Sequence, residues 1–343
     1  MKITLVAPVV KEAPTNHPSH CLYCHSPYLA RHGAIQKPIT DTKLSTVRVM
    51  RYRCSGCGKT FRYYPEGTSR ARQSQRLVVL AALLYACGLS CSMTAHFLKL
   101  QEAGIAPVTV WRDAQALGRR LRQRPRPPRQ VPVLGADETY VRVRGRTVVL
   151  GVVTDAQSGA TLGVEVLVER DAAAFLRWLR PLVRALGVAV LVTDDLSTYK
   201  PVAERLKVQR QVCIAHVRKN VTKRLRTLPG QEAVKETVRK LMQDFPPWGE
   251  QALRELAKTL RRNVPWRRFL SDLADKWQSL RQFLENTAVP ATNNVTERAI
   301  GRSKVRYKTV RGFKSEEGML NLVALTQWLY TPQPVHDLSR LMN

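Results

Sequence analysis

The stretch between residues 133 and 222 places the strongest constraint on the fold. Three successive segments, "VLGADETYVRVRG", "RTVVLGVVTDAQSG" and "ATLGVEVLVER", have the composition of strands, and Gly-containing turns that suit antiparallel neighbours separate them. The amphipathic helix "DAAAFLRWLRPLVRALG", the buried strand "VAVLVTDD", the helix "LSTYKPVAERLK" and the strand "VQRQVCIAHV" then alternate. Three strands followed by strand–helix alternation predict the first part of an α/β domain with a mixed sheet.

The segments that flank this sheet differ from it in composition. Residues 124–132, "RPRPPRQVP", contain four prolines, which exclude regular structure and predict a linker. Residues 223–288 are charged and helical in pattern, with a break at "FPPWG", and predict an all-α insertion. Residues 289–343 contain a helical block from about Asn294 past Tyr330, and we expect them to complete the core and to form a C-terminal helix.

Three tryptophans of the insertion allow two interpretations. They could stack on a flipped base, or they could anchor helices in the core of the insertion. The second is favoured because tryptophan normally buries most of its surface. These residues are Trp248, Trp266 and Trp277.

Residues 1–66 contain two C-x2-C pairs, "CLYC" and "CSGC", among aromatic and β-branched residues. Four thiolates in this arrangement suit tetrahedral Zn²⁺, which would stabilise a ribbon of short strands that is too small for a core of its own. With all four positions filled by protein, the metal is expected to be structural. The predicted ligands are Cys21, Cys24, Cys54 and Cys57. Nearby histidines that could replace one of them are His17, His20, His25 and His32.

Residues 67–123 predict three helices. "SQRLVVLAALLYACG" ends at Gly88, "SCSMTAHFLKLQEAG" starts at a Ser cap and ends at Gly104, and the third helix follows Pro107. The arrangement resembles a helix-turn-helix with "APVTVWRDAQAL" as its recognition helix, and an ordinary three-helix bundle is the alternative. The residues predicted to lie near DNA are Thr109, Arg112 and Gln115, with Val110 and Trp111 partly in the core.

The charge balance indicates the partner. The chain has 56 Lys and Arg against 26 Asp and Glu, a net charge of +30, which points to the phosphates of double-stranded DNA. No apolar run approaches the roughly 20 residues that span a bilayer, so no membrane partner is expected. Without an export signal the seven cysteines predict reduced thiols, and Cys87, Cys91 and Cys213 are expected to be buried.

Three carboxylates stand out against this basic background. Asp137 lies in a strand segment, Asp194 ends another, and Glu297 is the one acidic residue in "ATNNVTERAIGRSKVR". A carboxylate in an apolar strand is costly to bury unless it is paired or bound to metal. Three oxygen donors suit Mg²⁺ or Mn²⁺, and two such ions about 4 Å apart can activate a water or a 3′ hydroxyl.

Each acid has a competing interpretation. Glu138 could be the working acid in place of Asp137, which is favoured because the two face opposite sides of a strand and Asp137 completes a Gly-x-Asp pattern. Asp195 competes with Asp194. Glu297 could form an ordinary helix ion pair with Arg298.

The strand order and the motifs "GADETY", "VTDDLSTY" and "NNVTERAIGRSK" resemble the ribonuclease H-like core of DDE transposases of bacterial insertion sequences, near the mutator-like branch. The resemblance covers roughly residues 132–330. It implies that Asp137, Asp194 and Glu297 hold two catalytic ions, and its spacing to Tyr199 favours Asp194 over Asp195. Where some relatives carry Tyr and Arg before the glutamate, this chain has Pro290 and Asn293, and no role is carried over.

The same resemblance extends to residues around the acids. "CIAHVRKN" is similar to a C-x2-H signature, which implies that Cys213 and His216 orient the catalytic groups or position DNA. Lys304, seven residues after Glu297, matches a basic residue that many relatives place against transposon-end DNA. The run "RSKVRYKTVRGFK" is interpreted as a phosphate-contacting face, although a solvated face is the alternative. Its predicted DNA contacts are Arg302, Arg306, Lys308 and Arg311.

Together these features predict a DNA transposase that binds the terminal repeats of its element and catalyses cleavage and strand transfer. Pairing of two element ends implies a homodimer or larger assembly on DNA. The resemblance implies a cytoplasmic bacterial protein associated with the nucleoid. A domesticated regulator that binds DNA without catalysis and a structure-selective nuclease of the same fold are the alternative functions.

Overall fold

The structure of the protein is a computed structural model that describes residues 4–124, 130–310, 312–331 and 335–342, without the side chains of residues 305, 306, 308, 310 and 335. Most of the predicted linker, residues 125–129, lies outside the described residues. In the described part of the chain, no helix has both the length and the apolar character that a membrane crossing requires.

The described secondary structure consists of ten strands, twelve α-helices and two short 3₁₀ helices, Gln278–Leu280 and Leu338–Leu341. The strands are β1 (Thr4–Val6), β2 (Leu29–Pro38), β3 (Thr46–Cys54), β4 (Thr60–Tyr63), β5 (Val133–Val143), β6 (Arg146–Asp155), β7 (Thr161–Leu167), β8 (Val190–Thr193), β9 (Gln209–Val212) and β10 (Val335–Asp337). The helices are α1 (Gln75–Ala86), α2 (Cys91–Leu100), α3 (Pro107–Gln123), α4 (Ala172–Leu186), α5 (Tyr199–Leu206), α6 (Ile214–Thr227), α7 (Glu232–Asp244), α8 (Gly249–Thr259), α9 (Val264–Asp275), α10 (Gln282–Glu285), α11 (Asn294–Val310) and α12 (Glu316–Tyr330).

The chain divides into two compact units. One comprises Met1–Pro125 together with Ser303–Asn343, and the other comprises Arg126–Arg302. The sequence predicted residues 289–343 as the second part of the catalytic core. In the structure, Ser303–Asn343 instead belong to the unit that contains the N-terminal segment, because α12 packs against α3 and β10 pairs with β1.

The N-terminal part of the first unit is a small antiparallel sheet in the order β2-β3-β4. Cys21 precedes β2, and β3 ends at Cys54. Tyr52 and Phe61 stack beside these cysteines with ring centroids 6.0 Å apart, and they supply the apolar part of this small core. The aromatic side chains therefore support the cysteine cluster, and Ile39, Val47 and Val49 form a second small core in the same segment.

Helices α1, α2 and α3 of the first unit begin where their caps predict. The side chain of Ser74 accepts a hydrogen bond from the amide of Leu77 at the start of α1, and Ser90 does the same for Met93 at the start of α2. Pro107 occupies the first turn of α3. The prediction of buried thiols is wrong for Cys87, which is exposed, and for Cys91, which is half-buried. Both lie at helix ends, beyond the residues that face the core.

The second unit contains a five-stranded mixed sheet, which confirms the predicted α/β arrangement. Its order is β7-β6-β5-β8-β9. The β5, β6 and β7 strands are antiparallel neighbours, whereas β8 and β9 join β5 in parallel. Helix α4 packs on the sheet with Phe175, Trp178 and Leu179 buried. The first strand of this unit, β5, is the central strand of the sheet. Asp137 lies on β5, and Asp194 directly follows its neighbour β8.

Helices α6 to α10 enclose a separate apolar core at the end of β9, so the predicted insertion is helical. Trp266 and Trp277 are fully buried in it and donate hydrogen bonds to the carbonyls of Pro229 and Pro246. These contacts confirm that Trp266 and Trp277 anchor helices in the core of the insertion. The same interpretation is wrong for Trp248, which lies at the start of α8 outside the core of the insertion and is 61% exposed.

Candidate active site

Asp137 and Asp194 lie at the same level of the central sheet. The parallel register of β5 and β8 pairs Gly135 with Val192, and each aspartate is two residues beyond that pair. Side chains two residues apart on a strand lie on the same face. Parallel pairing therefore brings the two carboxylates together at the carboxyl end of β8.

The neighbouring acids are occupied elsewhere. Glu138 accepts hydrogen bonds from Nε of Arg170 at 2.7 Å and from the hydroxyl of Tyr199 at 2.8 Å. Asp195 accepts from Nζ of Lys276 at 2.7 Å and from the amide of Asn220 at 3.2 Å. Both competing carboxylates are thus engaged by other side chains, which supports Asp137 and Asp194 as the metal ligands.

The pKa of the Asp137 carboxyl is raised well above its ordinary value. Burial is the main cause that raises its pKa to about 7. The Glu138 amide lowers the pKa through a hydrogen bond, and the negative charges of Asp194, Glu138 and Glu297 add to the increase. The carboxylates of Asp194 and Glu297 are thus close enough to Asp137 for their charges to act on it.

Glu297 is delivered to this site by the first turn of α11. The amide of Asn293, the residue before α11, donates to the carbonyl of Ala136 at 3.0 Å, and the hydroxyls of Thr296 and Thr154 are 2.8 Å apart. All of these groups are buried. One helix end is thus fastened to β5 and β6 immediately beside Asp137, with Glu297 in its first turn.

Gly135 makes this close approach possible. A Cβ atom at this position would lie 2.3 Å from the Thr296 hydroxyl and 2.8 Å from that of Thr154. Real Cβ contacts are longer, so any larger side chain would push α11 away from β5. Below this contact Val152 packs against Ala299 and Ile300. The glycine of the Gly-x-Asp pattern therefore has a packing role that sequence reasoning missed.

The three acids offer only oxygen atoms as ligands. Among the described residues, the sets of three or more Cys, His, Asp or Glu with ligand atoms within 4.8 Å of one another do not include the three acids together. Carboxylate oxygens are the donors that Mg²⁺ and Mn²⁺ prefer.

Arg210 is a further functional residue that the sequence did not reveal. Its guanidinium donates to the Thr193 hydroxyl at 3.0 Å and to the carbonyls of Asp194 and Leu196 at 2.9 and 3.1 Å. Burial lowers its pKa, and the charges of Asp195 and Asp194 oppose that change. Arg210 therefore holds the backbone that carries Asp194. The one available signal was a basic residue inside the otherwise strand-like segment "VQRQV".

Cys213 and His216 lie beside Glu297. Cys213 is buried, and its amide donates to the Thr193 carbonyl at 2.8 Å, next to Asp194. Nδ1 of His216 is 3.7 Å from Oε1 of Glu297, which is longer than a hydrogen bond. The predicted C-x2-H pair thus adjoins the acidic cluster.

The four cysteines of the N-terminal sheet form a second candidate metal site. Sγ of Cys21 is 3.7 Å from that of Cys57, and Sγ of Cys24 is 3.6 Å from that of Cys54. A zinc tetrahedron with bonds of about 2.3 Å has sulfur–sulfur edges of about 3.8 Å. In the described chain, no histidine belongs to this group. The cluster therefore fits Zn²⁺ with the four predicted ligands.

The amides next to Cys54 favour its thiolate form. Burial raises the pKa of Cys54, but hydrogen bonds from the amides of Cys57 and Gly56 and from the thiols of Cys24 and Cys21 outweigh burial and lower it to about 6. The thiolate is the form that binds zinc.

The predicted DNA contacts are distributed unevenly. On α3, Arg112 is exposed and Thr109 is half-buried. Gln115 is buried, because its amide donates to the Gly318 carbonyl and accepts from the Asn321 side chain, and so it joins α3 to α12 and does not face solvent. On α11, Lys304 is exposed and Arg302 is half-buried. The side chains of Arg306 and Lys308, and the whole of Arg311, lie outside the described residues.

Comparison with known proteins gives one family match. Residues 230–321 match the family described as "Transposase IS66 family", a segment that contains Glu297 but neither aspartate. No curated protein matches this chain.

Two solved structures resemble the chain at low identity. The catalytic core domain of BIV integrase is 13% identical over 44% of this chain and 84% of that one, with a TM-score of 0.21. The Drosophila P element transposase strand transfer complex is 12% identical over 75% of this chain and 92% of that one, with a TM-score of 0.40. Neither likeness by itself assigns a function.

Proposed function

We propose that this protein is a DNA transposase with a DDE-type catalytic centre. The observation that carries the proposal is geometric: the register of β5 and β8 places Asp137 beside Asp194, and Asn293 and Thr296 fasten the first turn of α11, which contains Glu297, to β5 and β6. A binding protein of net charge +30 gains nothing from three acids brought together beside phosphate-binding side chains. The family match over residues 230–321 supports the transposase class independently.

The three acids would hold the catalytic metal. Asp137, Asp194 and Glu297 are the residues that would bind two Mg²⁺ or Mn²⁺ ions, which supply charge stabilisation to the attacking and leaving oxygens of phosphoryl transfer. Arg210 keeps the loop of Asp194 in position, and Asn293 and Thr296 position Glu297. In-line transfer needs no Ser or Tyr nucleophile.

The N-terminal unit would bind DNA. A zinc-stabilised ribbon and three helices with an exposed Arg112 provide a basic surface for the ends of the element. Lys304 and Arg302 would contact phosphates near the cleavage site. Cleavage at two paired ends implies a homodimer or larger assembly, acting in the cytoplasm on the nucleoid of a bacterial host.

The proposal is tested with purified full-length protein, Mg²⁺ and labelled DNA that carries the ends of the element. Asp137→Asn and Glu297→Gln should each reduce cleavage by at least about 10³-fold, because each removes a ligand worth several kcal/mol of transition-state stabilisation. Asp195→Asn is the matched control, since its carboxylate is held by Lys276, and it should retain most activity. Equal cleavage by the wild type and both ligand variants would refute the assignment.

The products distinguish the alternative functions. Joined ends identify a transposase, cleavage at junctions without joining identifies a nuclease, and binding without cleavage identifies a regulator. The ordered arrangement of Asp137, Asp194 and Glu297 favours the first two over the third.

A further inference from the structure

A second group of metal-binding side chains lies at the edge of the acidic cluster. Sγ of Cys213, a ring nitrogen of His216 and a carboxylate oxygen of Glu297 all lie within 4.8 Å of one another. Cys213 caps α6, and His216 is three residues later in the first turn, so both side chains lie on one side of the helix. The helix N-terminus also favours negative charge on the ligands that gather there.

The histidine points to a ligand. Nδ1 of His216 is shielded from solvent and has no hydrogen-bond partner, although the side chain as a whole is 43% exposed. Polar atoms that are buried in this way normally have a partner, because they lose their hydrogen bonds to water. At 3.7 Å, Oε1 of Glu297 is too distant to supply one. A cation between the two atoms would satisfy both.

The donor set selects the class of cation. Sulfur, imidazole nitrogen and carboxylate oxygen together suit a borderline-soft transition metal and are poor partners for Mg²⁺, which prefers oxygen alone. Bonds of about 2.3 Å to sulfur and about 2.0–2.2 Å to nitrogen and oxygen place zinc ligands about 3.3–3.8 Å apart. The present spacing needs only small side-chain rotations to reach that geometry. Three protein ligands leave a fourth position open to solvent or DNA.

We propose that Cys213, His216 and Glu297 form a binding site for Zn²⁺ or a similar transition metal, and that its occupancy inhibits the catalytic centre by engaging Glu297. Zn²⁺ on Oε1 would withdraw negative charge from the acidic cluster, and its own double charge would repel a catalytic ion on the same carboxylate. The binding site stands on the geometry alone, whereas the inhibition rests on the proposed function.

Binding is tested by titrating Co²⁺ into full-length protein whose four-cysteine site already holds one equivalent of Zn²⁺. The wild type should bind a further equivalent with a thiolate-to-cobalt charge-transfer band. Cys213→Ser should lose this band. His216→Ala should weaken Co²⁺ binding by more than the about 10–100-fold that loss of an outer-sphere partner costs. Cys87→Ser, which removes an exposed thiol of the other unit, should behave as the wild type does.

Two results would overturn the site. One is the absence of a thiolate band from the second equivalent in the wild type, and the other is persistence of that band in Cys213→Ser. If Cys213→Ser fails to fold, as its full burial makes possible, His216→Ala decides the matter, and unchanged Co²⁺ affinity in that variant rejects the site.

Inhibition is tested by adding Zn²⁺ to Mg²⁺-supported DNA cleavage, with each variant compared with its own rate before addition. The wild type and Cys87→Ser should be inhibited, and Cys213→Ser should need at least about tenfold more Zn²⁺. A wild type that is fully active with its second site occupied would reject the inhibitory role. A protein that never cleaves DNA would fail the proposed function, and the cobalt spectrum would still decide the site.

Discussion

Replacement of Asp137 by Asn should stabilise the metal-free protein while it abolishes catalysis. The pKa of Asp137 is raised to about 7 from its ordinary value of 3.8, chiefly by burial and further by the neighbouring negative charges. A carboxylate with a raised pKa is a liability in the folded state once it ionises. Asn has the same shape without the charge, and its side-chain oxygen can still accept the hydrogen bond that the Glu138 amide now donates at 2.8 Å.

The size of the effect follows from the shift in pKa. A change of about 3 units at 1.36 kcal/mol each corresponds to about 4 kcal/mol of unfolding free energy. The folded state binds the proton of Asp137 more tightly than the unfolded state, so the contribution of this group to the stability of the wild type is fully present below about pH 4. That contribution decreases as the pH rises through about 7 and is lost above it. At pH 8 the variant should therefore melt about 8–16 °C higher, at about 2–4 °C per kcal/mol for a unit of this size.

Thermal denaturation at pH 4 and at pH 8, with and without Mg²⁺, measures this difference. Mg²⁺ should raise the melting temperature of the wild type and not that of Asp137→Asn, because the cation offsets the repulsion that the variant lacks. Asp195→Asn should lose stability instead, since it leaves Lys276 without its partner. A variant that is no more stable than the wild type at pH 8, or one that gains equally at both pH values, would refute the electrostatic account of the acidic cluster.

Three further predictions concern the groups that support the two metal sites. Gly135→Ala should lower both the free energy of unfolding and the rate of cleavage, because its Cβ would lie 2.3 Å from the Thr296 hydroxyl. Gly301→Ala, on the open surface of α11, is the control and should be neutral or stabilising by up to about 1 kcal/mol. Equal denaturation midpoints for the two variants would contradict this prediction. Arg210→Met should reduce Mg²⁺ affinity by about 10–100-fold in a metal titration of DNA cleavage, because the carbonyls of Asp194 and Leu196 lose the hydrogen bonds from the guanidinium. Unchanged affinity would show that the loop keeps its position without Arg210. Cys54→Ser should lower the zinc content of the purified protein and expose the ribbon to proteolysis while Cys87→Ser changes neither; normal zinc content in Cys54→Ser would exclude the four-cysteine site.

Local features of the chain were predictable because their causes lie within a few residues. The serine caps at Ser74 and Ser90 start their helices where expected, and Pro107 opens α3. The two C-x2-C pairs specified one cluster, because a metal ligand's chemistry depends little on the surrounding fold. The mixed sheet followed from apolar periodicity and turn residues, which operate over single strands and hairpins.

Other predictions failed where side chains compete for partners over long distances. The residues near Gln115 in sequence do not show that its side chain will be buried against Asn321 and Gly318. Likewise, the residues near Trp248 do not show that its side chain will lie outside the core of the insertion. The assignment of residues 303–343 to the catalytic core was similarly based on continuity of the chain. Their actual neighbours are α3 and β1.

For the acidic cluster, the sequence by itself determined which carboxylates were unusual: two at the ends or centres of apolar strands and one in a basic helix. Tertiary structure alone decided which were free to bind metal. Arg170 and Tyr199 engage Glu138, and Lys276 engages Asp195. The physical reason is that a carboxylate's pKa and its availability depend on the charges and donors within a few ångströms. In this chain those groups lie 32, 61 and 81 residues away in sequence from the carboxylates that they engage.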